Sequence, residues 1–235
     1  MPRTPRVGPA LRTALGEPPS LEARPRTPGR SLLLNRRRLG VFWEIARRPG
    51  IHARELARAT NVPLQSLLWH LRALQEGGMV QSWRRGKFTL LAVPGTVPES
   101  ELPVLASLDI VRHAAIARTV LQTPRSRREL SRILKTYPQA IDGALRTMRS
   151  LGLLEQDSQG LWFPGPRLFE ALDAASSGRQ ARLDRILALL AHDGLDPMVS
   201  RKEDPWWFVE VNGPRRRLEL KIGVLPDQIR VLTKW

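Results

Sequence analysis

Apolar residues fall at Leu39, Phe42, Ile45 and Ala46, spaced by one helical turn, and Pro49-Gly50 ends the pattern. A second short helix is predicted over "HARELARAT", with Leu56 and Ala57 inward. "TNVP" reads as a turn, with Asn61 suited to a left-handed conformation. A third helix is predicted from Pro63 to Glu76, with Leu67, Leu71 and Leu74 inward. Pro63 stands at its first turn, where a missing N–H costs nothing. Gly77-Gly78 is a stop signal. "MVQSWRRGKFTLLAV" then predicts two strands around a tight turn at residues 85–87.

The same order of elements returns about 70 residues later, too long a period for a solenoid. "PGTVPESELP" reads as a linker, from Pro94 to Pro103 in full and 95–103 as the domain boundary. "LDIVRHAAIARTVLQTP" is predicted to be one helix, and "SRRELSRIL" another, with Ser126 and Glu129 spaced as a capping box. "KTYP" is a turn. "QAIDGALRTMRSLG" is a helix with Ile141, Leu145, Met148 and Leu151 inward, and "LLEQDSQGLWFP" gives two strands about residues 158–160. Residues 167–235 change character. A helical stretch with a weak point at 176–178 is followed by a stretch from Trp206 that alternates like strands around an Asn-Gly-Pro turn, and the reading is a helical part followed by three strands. The expected organisation is a disordered basic arm (1–30), a first unit (31–94), a linker (95–103), a second unit (104–166) and an α+β module (167–235).

Charge sharpens this picture. The net charge is +16 and the pI about 11.6, with 33 Arg and five Lys among the 38 cations. Such an excess predicts attraction to polyanions, and Arg favours bidentate phosphate and guanine contacts. The excess is uneven: +4 on residues 1–30, +8 on 31–98, and +2 on each of 99–166 and 167–235. The first unit is therefore the expected principal nucleic-acid reader. With no Cys, disulfides and thiolate metal sites are excluded. His52, His70, His113 and His192 lack ligand spacing, so no metal or cofactor is expected. No phosphate-cradling glycine loop, nucleophile elbow or metalloprotease helix occurs, and no enzyme is expected. The longest apolar runs are too short to span a bilayer, and seven prolines before residue 29 do not suit a targeting helix. A cytoplasmic, nucleoid-associated location is expected.

Helix, helix, turn, helix and hairpin is the winged helix-turn-helix order. "RRPGIHARELARATNVPLQSLLWHLRALQEGGMVQSWRRGKFTLL" resembles the DNA-binding core of MarR/ArsR-type winged-helix transcription regulators. The resemblance lies in Pro49-Gly50-Ile51, Glu55-Leu56-Ala57, His70-Leu71-Arg72-Ala73-Leu74 and Gly77-Gly78-Met79-Val80. It covers about 45 residues clearly. The stretch from Thr123 to Pro164 matches more weakly, and the tandem arrangement is similar to archaeal double winged-helix regulators. The family's usual Ser-x-Ser/Thr start of the third helix is absent; only Gln65 and Ser66 keep its polar pattern.

The resemblance implies a mainly α fold with small β wings, two tandem winged helix-turn-helix domains and a C-terminal α+β module. It makes the Pro63–Glu76 helix a recognition helix, whose N-terminal residues meet base edges. Leu64, Gln65, Ser66, Trp69 and Arg72 are the base-reading candidates; Gln can pair bidentately with adenine and Arg with guanine. Trp69 can equally touch a thymine methyl or pack on the wing. The backbone candidates are Arg36, Arg37, Arg38, Arg54, Arg84, Arg85, Lys87, Arg125, Arg127 and Arg128. Asp142 in the second unit's third helix would repel phosphates, though it could accept from cytosine N4, and the expectation there is weaker binding or an interaction surface. Trp206, Trp207 and Phe208 cannot share one sheet face: either at least Trp207 is exposed, or both faces are covered, which suggests a docking or dimer surface, or else packing on the helix 181–193. Arg215, Arg216 and Arg217 are a weaker backbone candidate.

The expected function is sequence-specific double-stranded DNA binding in transcription regulation. A homodimer is a further expected partner, and the C-terminal module is expected to serve dimerisation or the sensing of a small-molecule or protein effector. The rival readings are a nucleoid-architecture protein of low sequence preference and a protein-interaction winged helix.

Overall fold

The computed structural model describes residues 31–85, 88–203, 206–213, 216–223 and 225–232. Helix α1 (Arg36–Arg47) starts at Asn35, whose side chain accepts from the backbone N–H of Arg37 and Arg38. Helix α2 (Ala53–Thr60) ends at Asn61, which takes the left-handed conformation at φ 51°. Helix α3 (Leu64–Glu76) begins one residue later than expected, and Pro63, at φ −53° and ψ 138°, is its cap rather than its first residue. Gly77 closes α3 and Gly78 follows at φ +68°, a conformation glycine adopts without strain. The three helices meet over Phe42, Ile45, Leu56, Leu67, Leu71 and Leu74, all fully buried. Strands β1 (Gln81–Arg85) and β2 (Phe88–Ala92) form an antiparallel hairpin, and Ile51 bridges to Leu91 on its far side.

The stretch read as a linker is partly helical. Glu99–Glu101 form a 3-10 turn, and α4 (Leu102–Leu108) continues directly from it. Leu102 is buried against Leu90 and Ala92 of the hairpin. The helix expected over "LDIVRHAAIARTVLQTP" begins three residues late, as α5 (Val111–Gln122), because Leu108 closes α4 and Asp109-Ile110 separate the two helices. The break lets the Asp109 carboxylate turn back to Arg48. Strand β3 (Arg125–Ser126) leads into α6 (Arg127–Ile133), which carries the expected capping box between Ser126 and Glu129. Helix α7 (Pro138–Ser150) buries Ile141, Leu145 and Met148. Leu151 lies past its end, half-buried. Strands β4 (Leu154–Gln156) and β5 (Leu161–Pro164) complete an antiparallel sheet of order β3-β5-β4. β3 pairs with β5 as Ile51 bridges to β2 in the first unit.

Helices α8 (Pro166–Ser177) and α9 (Arg179–His192) part at Gly178, at the predicted weak point. A three-stranded antiparallel sheet follows, of order β6 (Asp196–Glu203), β7 (Trp206–Gly213) and β8 (Arg216–Gly223). The alternating stretch from Trp206 thus supplies two strands. The third strand lies before it, and residues Asp227–Leu232 form helix α10. Both faces of β7 are covered. Trp207, Val209 and Val211 join the core, while Phe208 on the opposite face lies under Arg201 and Lys221, so the exposed Trp207 alternative is excluded. Trp206 meets Lys221 and Arg230.

One buried apolar cluster runs from Leu33 to Leu232 through all three parts. Polar contacts close the seams. Arg48 grips Asp109 bidentately (2.9 and 2.7 Å) and also reaches Glu44 (3.1 Å) and Glu55 (3.6 Å). The Asp109 hydrogen bonds foremost, and Glu44 after them, raise the Arg48 pKa further above its already high value. A Cβ on Gly50 would stand 2.7 Å from the Leu102 carbonyl, so α4 packs directly on the turn after α1. Arg182, 4% exposed, donates to the carbonyls of Ala46 and Gly223. Burial pushes its pKa down to about 10. Gln228 donates to the Pro49 carbonyl (3.1 Å), and Arg47 pairs with Asp227 (2.7 Å). Buried Asp193, just past α9, accepts from the backbone N–H of Leu32 (3.0 Å) and Leu33 (2.8 Å) and from the Ser31 hydroxyl. Among the described residues, no helix is long and apolar enough to cross a membrane, and no three His, Asp or Glu converge on a metal-sized site.

Candidate nucleic-acid interface

Helix α3 has two faces because its leucines repeat at helical spacing. Leu67, Leu68, Leu71 and Leu74 are buried with His70. Gln65, Trp69, Arg72 and Glu76 are exposed on the other side, and Ser66 is half-buried beside them. Leu64, a base-reading candidate, instead packs half-buried against the core. Trp69 is 58% exposed, a large apolar area to leave in water. Its ring lies under the Arg38 guanidinium, 5.0 Å from the centroid. It is therefore steadied from α1, while most of its surface stays open.

The outer face of α3 is not free of acid at its end. Arg72 Nε donates to Glu76 Oε1 at 2.9 Å. Both side chains are well exposed, 73% and 65%, so the pair contributes little stability and exchanges readily for another partner. Below the face, the His70 pKa is lowered, first by burial and then by Arg38 and Arg37. The ring is neutral at neutral pH and adds no charge.

Cations flank α3 on two sides. Arg36 and Arg37 are exposed and Arg38 half-buried at the start of α1. Cations at a helix N-terminus oppose its dipole, so their local contribution to α1 is unfavourable. Arg84 and Arg85 are exposed at the end of β1; Lys87, the third candidate of that tip, lies outside the described residues. The hairpin is held to α3 by Gln75 Nε2 donating to Ser82 Oγ (3.0 Å). Trp83 packs half-buried on Leu90, Ala92 and Leu102. Phe88, half exposed, stacks on His52 at 5.1 Å, an aromatic pair that the spacing of the sequence did not reveal. Arg54 is exposed on α2.

Residues 33–82 match the helix-turn-helix domain family. The helix-turn-helix match ends just inside β1 and includes every candidate on α1 to α3. An uncharacterized HTH-type transcriptional regulator of Methanocaldococcus jannaschii is 28% identical over 129 residues, 55% of this chain and 32% of the relative. The chain thus spans about a third of the length of the curated relative it matches. No solved structure matches.

Outside the helix-turn-helix, Arg125 and Arg127 are engaged with acids. Arg127 Nε pairs with Asp142 at 3.0 Å, and Arg125 with Glu129 at 3.6 Å. The Glu129 pKa is lowered, chiefly by the hydrogen bonds from Ser126. Arg128 is exposed. Arg127, Asp142, Leu145, Arg146, Gln156 and Trp162 line an open cleft of about 360 Å³ between α7 and the β4–β5 strands. Tyr137 is 81% exposed at the start of α7, a prominent aromatic that sequence reading placed in a turn and assigned no role. In the C-terminal sheet, Arg217 pairs with Glu210, and Arg215 lies outside the described residues.

Proposed function

We propose that this chain is a double-stranded DNA-binding transcription regulator that reads sequence chiefly with the outer face of α3. The observation that carries the reading is the helix-turn-helix match over residues 33–82, with Gln65, Trp69 and Arg72 open to solvent on its third helix. Helix α3 is the recognition helix, set in the major groove with Gln65 nearest the base edges. Arg36, Arg37, Arg84 and Arg85 hold phosphates on either side, and the hairpin β1–β2 is the wing. Arg72 leaves Glu76 for a base or phosphate, an exchange of one exposed ion pair for a stronger contact.

Residues 104–166 are a second winged helix of lesser DNA affinity, with α7 as its counterpart of α3. Support comes from the repeated order of elements and the equivalent β3–β5 pairing. Asp142 on α7 neutralises Arg127 and faces the same cleft as Arg146. Both units are of MarR/ArsR type, and the protein works in the cytoplasm on the nucleoid. Occupancy of an operator, rather than any reaction, is the regulatory act.

Selection of bound duplexes from a random pool tests the reading. The native chain should enrich one motif, and Gln65→Ala should lose preference at one position of it while bulk binding survives. Enrichment of no motif, with binding that depends only on salt, would favour the architectural role.

A further inference from the structure

The C-terminal sheet has two edges, and they are built differently. β6 carries Pro197, an irregularity between Val199 and Arg201, and the charged run Arg201-Lys202-Glu203. Both edges carry four charged residues, so the proline and the bulge are what discourage further strand pairing at β6. β8 has neither proline nor bulge. It pairs with β7 in unbroken register over all eight residues, from Arg216 to Gly223. Among the described residues β8 has no second neighbour strand. Arg217, Leu218, Glu219 and Lys221 on it are exposed, Leu218 by 39%.

We propose that β8 is a dimerisation edge, pairing antiparallel with β8 of a second copy about a two-fold axis at Leu220. Continuity of the pleat requires facing residues to lie on the same side of the sheet, so the axis must pass through a residue. An axis at Glu219 sets Glu219 against itself and Arg217 against Lys221 twice, which is repulsive. An axis at Leu218 sets Glu219 against Arg217 twice, but it overlaps the strands only from residue 216 to 220, a shorter ladder. The axis at Leu220 sets Glu219 against Lys221 twice, Leu218 against Ile222 twice, and Leu220 against itself. It overlaps the strands from residue 217 to 223, so it joins a long ladder to favourable charge pairing. Charge complementarity therefore selects a second copy as the occupant, and the two three-stranded sheets become one of six strands. The contact is isologous, so it closes at two copies and leaves only the protected β6 edges outside.

Sedimentation of the full chain without DNA tests the dimer, independently of the reading of α3. A dimer is expected. Glu219→Lys places a second cation opposite Lys221 at both symmetry-related positions, and should weaken the dimer about tenfold with an unchanged circular dichroism spectrum. The chain has no cysteine, so disulfide trapping is clean. Glu219→Cys and Lys221→Cys chains should each stay uncrosslinked under mild oxidation and should crosslink when mixed. Crosslinking of Glu219→Cys alone, a mixture that does not crosslink, or a native chain monomeric at about 100 µM would overturn the proposal.

Discussion

Gln65 and Arg72 share the outer face of α3 but differ in what they give up on binding. Gln65 is exposed and uncharged, whereas Arg72 must leave Glu76. Gln65→Ala is expected to cost about 1–3 kcal/mol at one base position and nothing at the others, read by binding to single-base operator variants. Arg72→Ala should lower affinity, and Glu76→Gln, which frees Arg72, should raise it. At the same scale, two buried histidines set an acid limit. His113 hydrogen-bonds Ser107 at 2.8 Å, and burial lowers its pKa below the ordinary 6.5; His70 is lowered by burial and by Arg38 and Arg37. Both folded-state values lie under the unfolded one, so the unfolded chain takes up more protons on acidification. The stabilisation is complete above pH 6.5 and is lost as pH falls below it. Urea unfolding should show lower stability at about pH 5.5 than at about pH 7.5, and His113→Gln should narrow the difference.

Among the elements, Asp142 is the brake that the proposed function assigns to the second unit. Asp142 and Arg127 are both substantially exposed, so Asp142→Asn should change stability by less than about 0.5 kcal/mol. It should nevertheless tighten DNA binding, and steepen the salt dependence by about one phosphate contact, measured by titration across salt concentrations. Element-level reading of the sequence succeeded where local signals were strong. The leucines of α3, the αL turn at Asn61 and the capping box at Ser126 and Glu129 were all legible, because each rests on near neighbours in the chain. It failed where distant contacts decide. The helix expected from Leu108 starts instead at Val111, and Asp109 before it answers to Arg48, 61 residues away. "DPMVSRKE" has little strand propensity and becomes β6 only by pairing with β7. "DQIRVL" alternates like a strand, yet Ile229 and Leu232 reach the core as a helix. Of the interface candidates, Leu64 packs half-buried on the core, and its i, i+3, i+4, i+7 spacing to Leu67, Leu68 and Leu71 made that face open to sequence reading. The Arg72–Glu76 pair lies at i,i+4 and was open to sequence reading.

At the scale of the whole molecule, the first unit is not an independent module on a tether. Arg48 joins α1, α2 and the α4–α5 break through three carboxylates, all on largely shielded side chains except Glu55. Arg48→Ala should cost about 2 kcal/mol, seen as a fall in Tm of about 5 °C, because Asp109 and Glu44 lose their cation. Unfolding of the native chain should remain a single transition by tryptophan fluorescence and by circular dichroism alike, as a shared core requires.

The Asp193 carboxylate has a bearing on how the chain is made. Its partners lie at residues 31–33, about 160 positions earlier. During synthesis the lead-in to α1 reaches the solvent long before Asp193 has left the ribosome. Until then the backbone amides of Leu32 and Leu33 lack this carboxylate, and the N-terminal helices wait on the last third of the polypeptide for their final seam. A nascent chain arrested before residue 193 should therefore be cut by protease near Leu33, and one released at full length should resist.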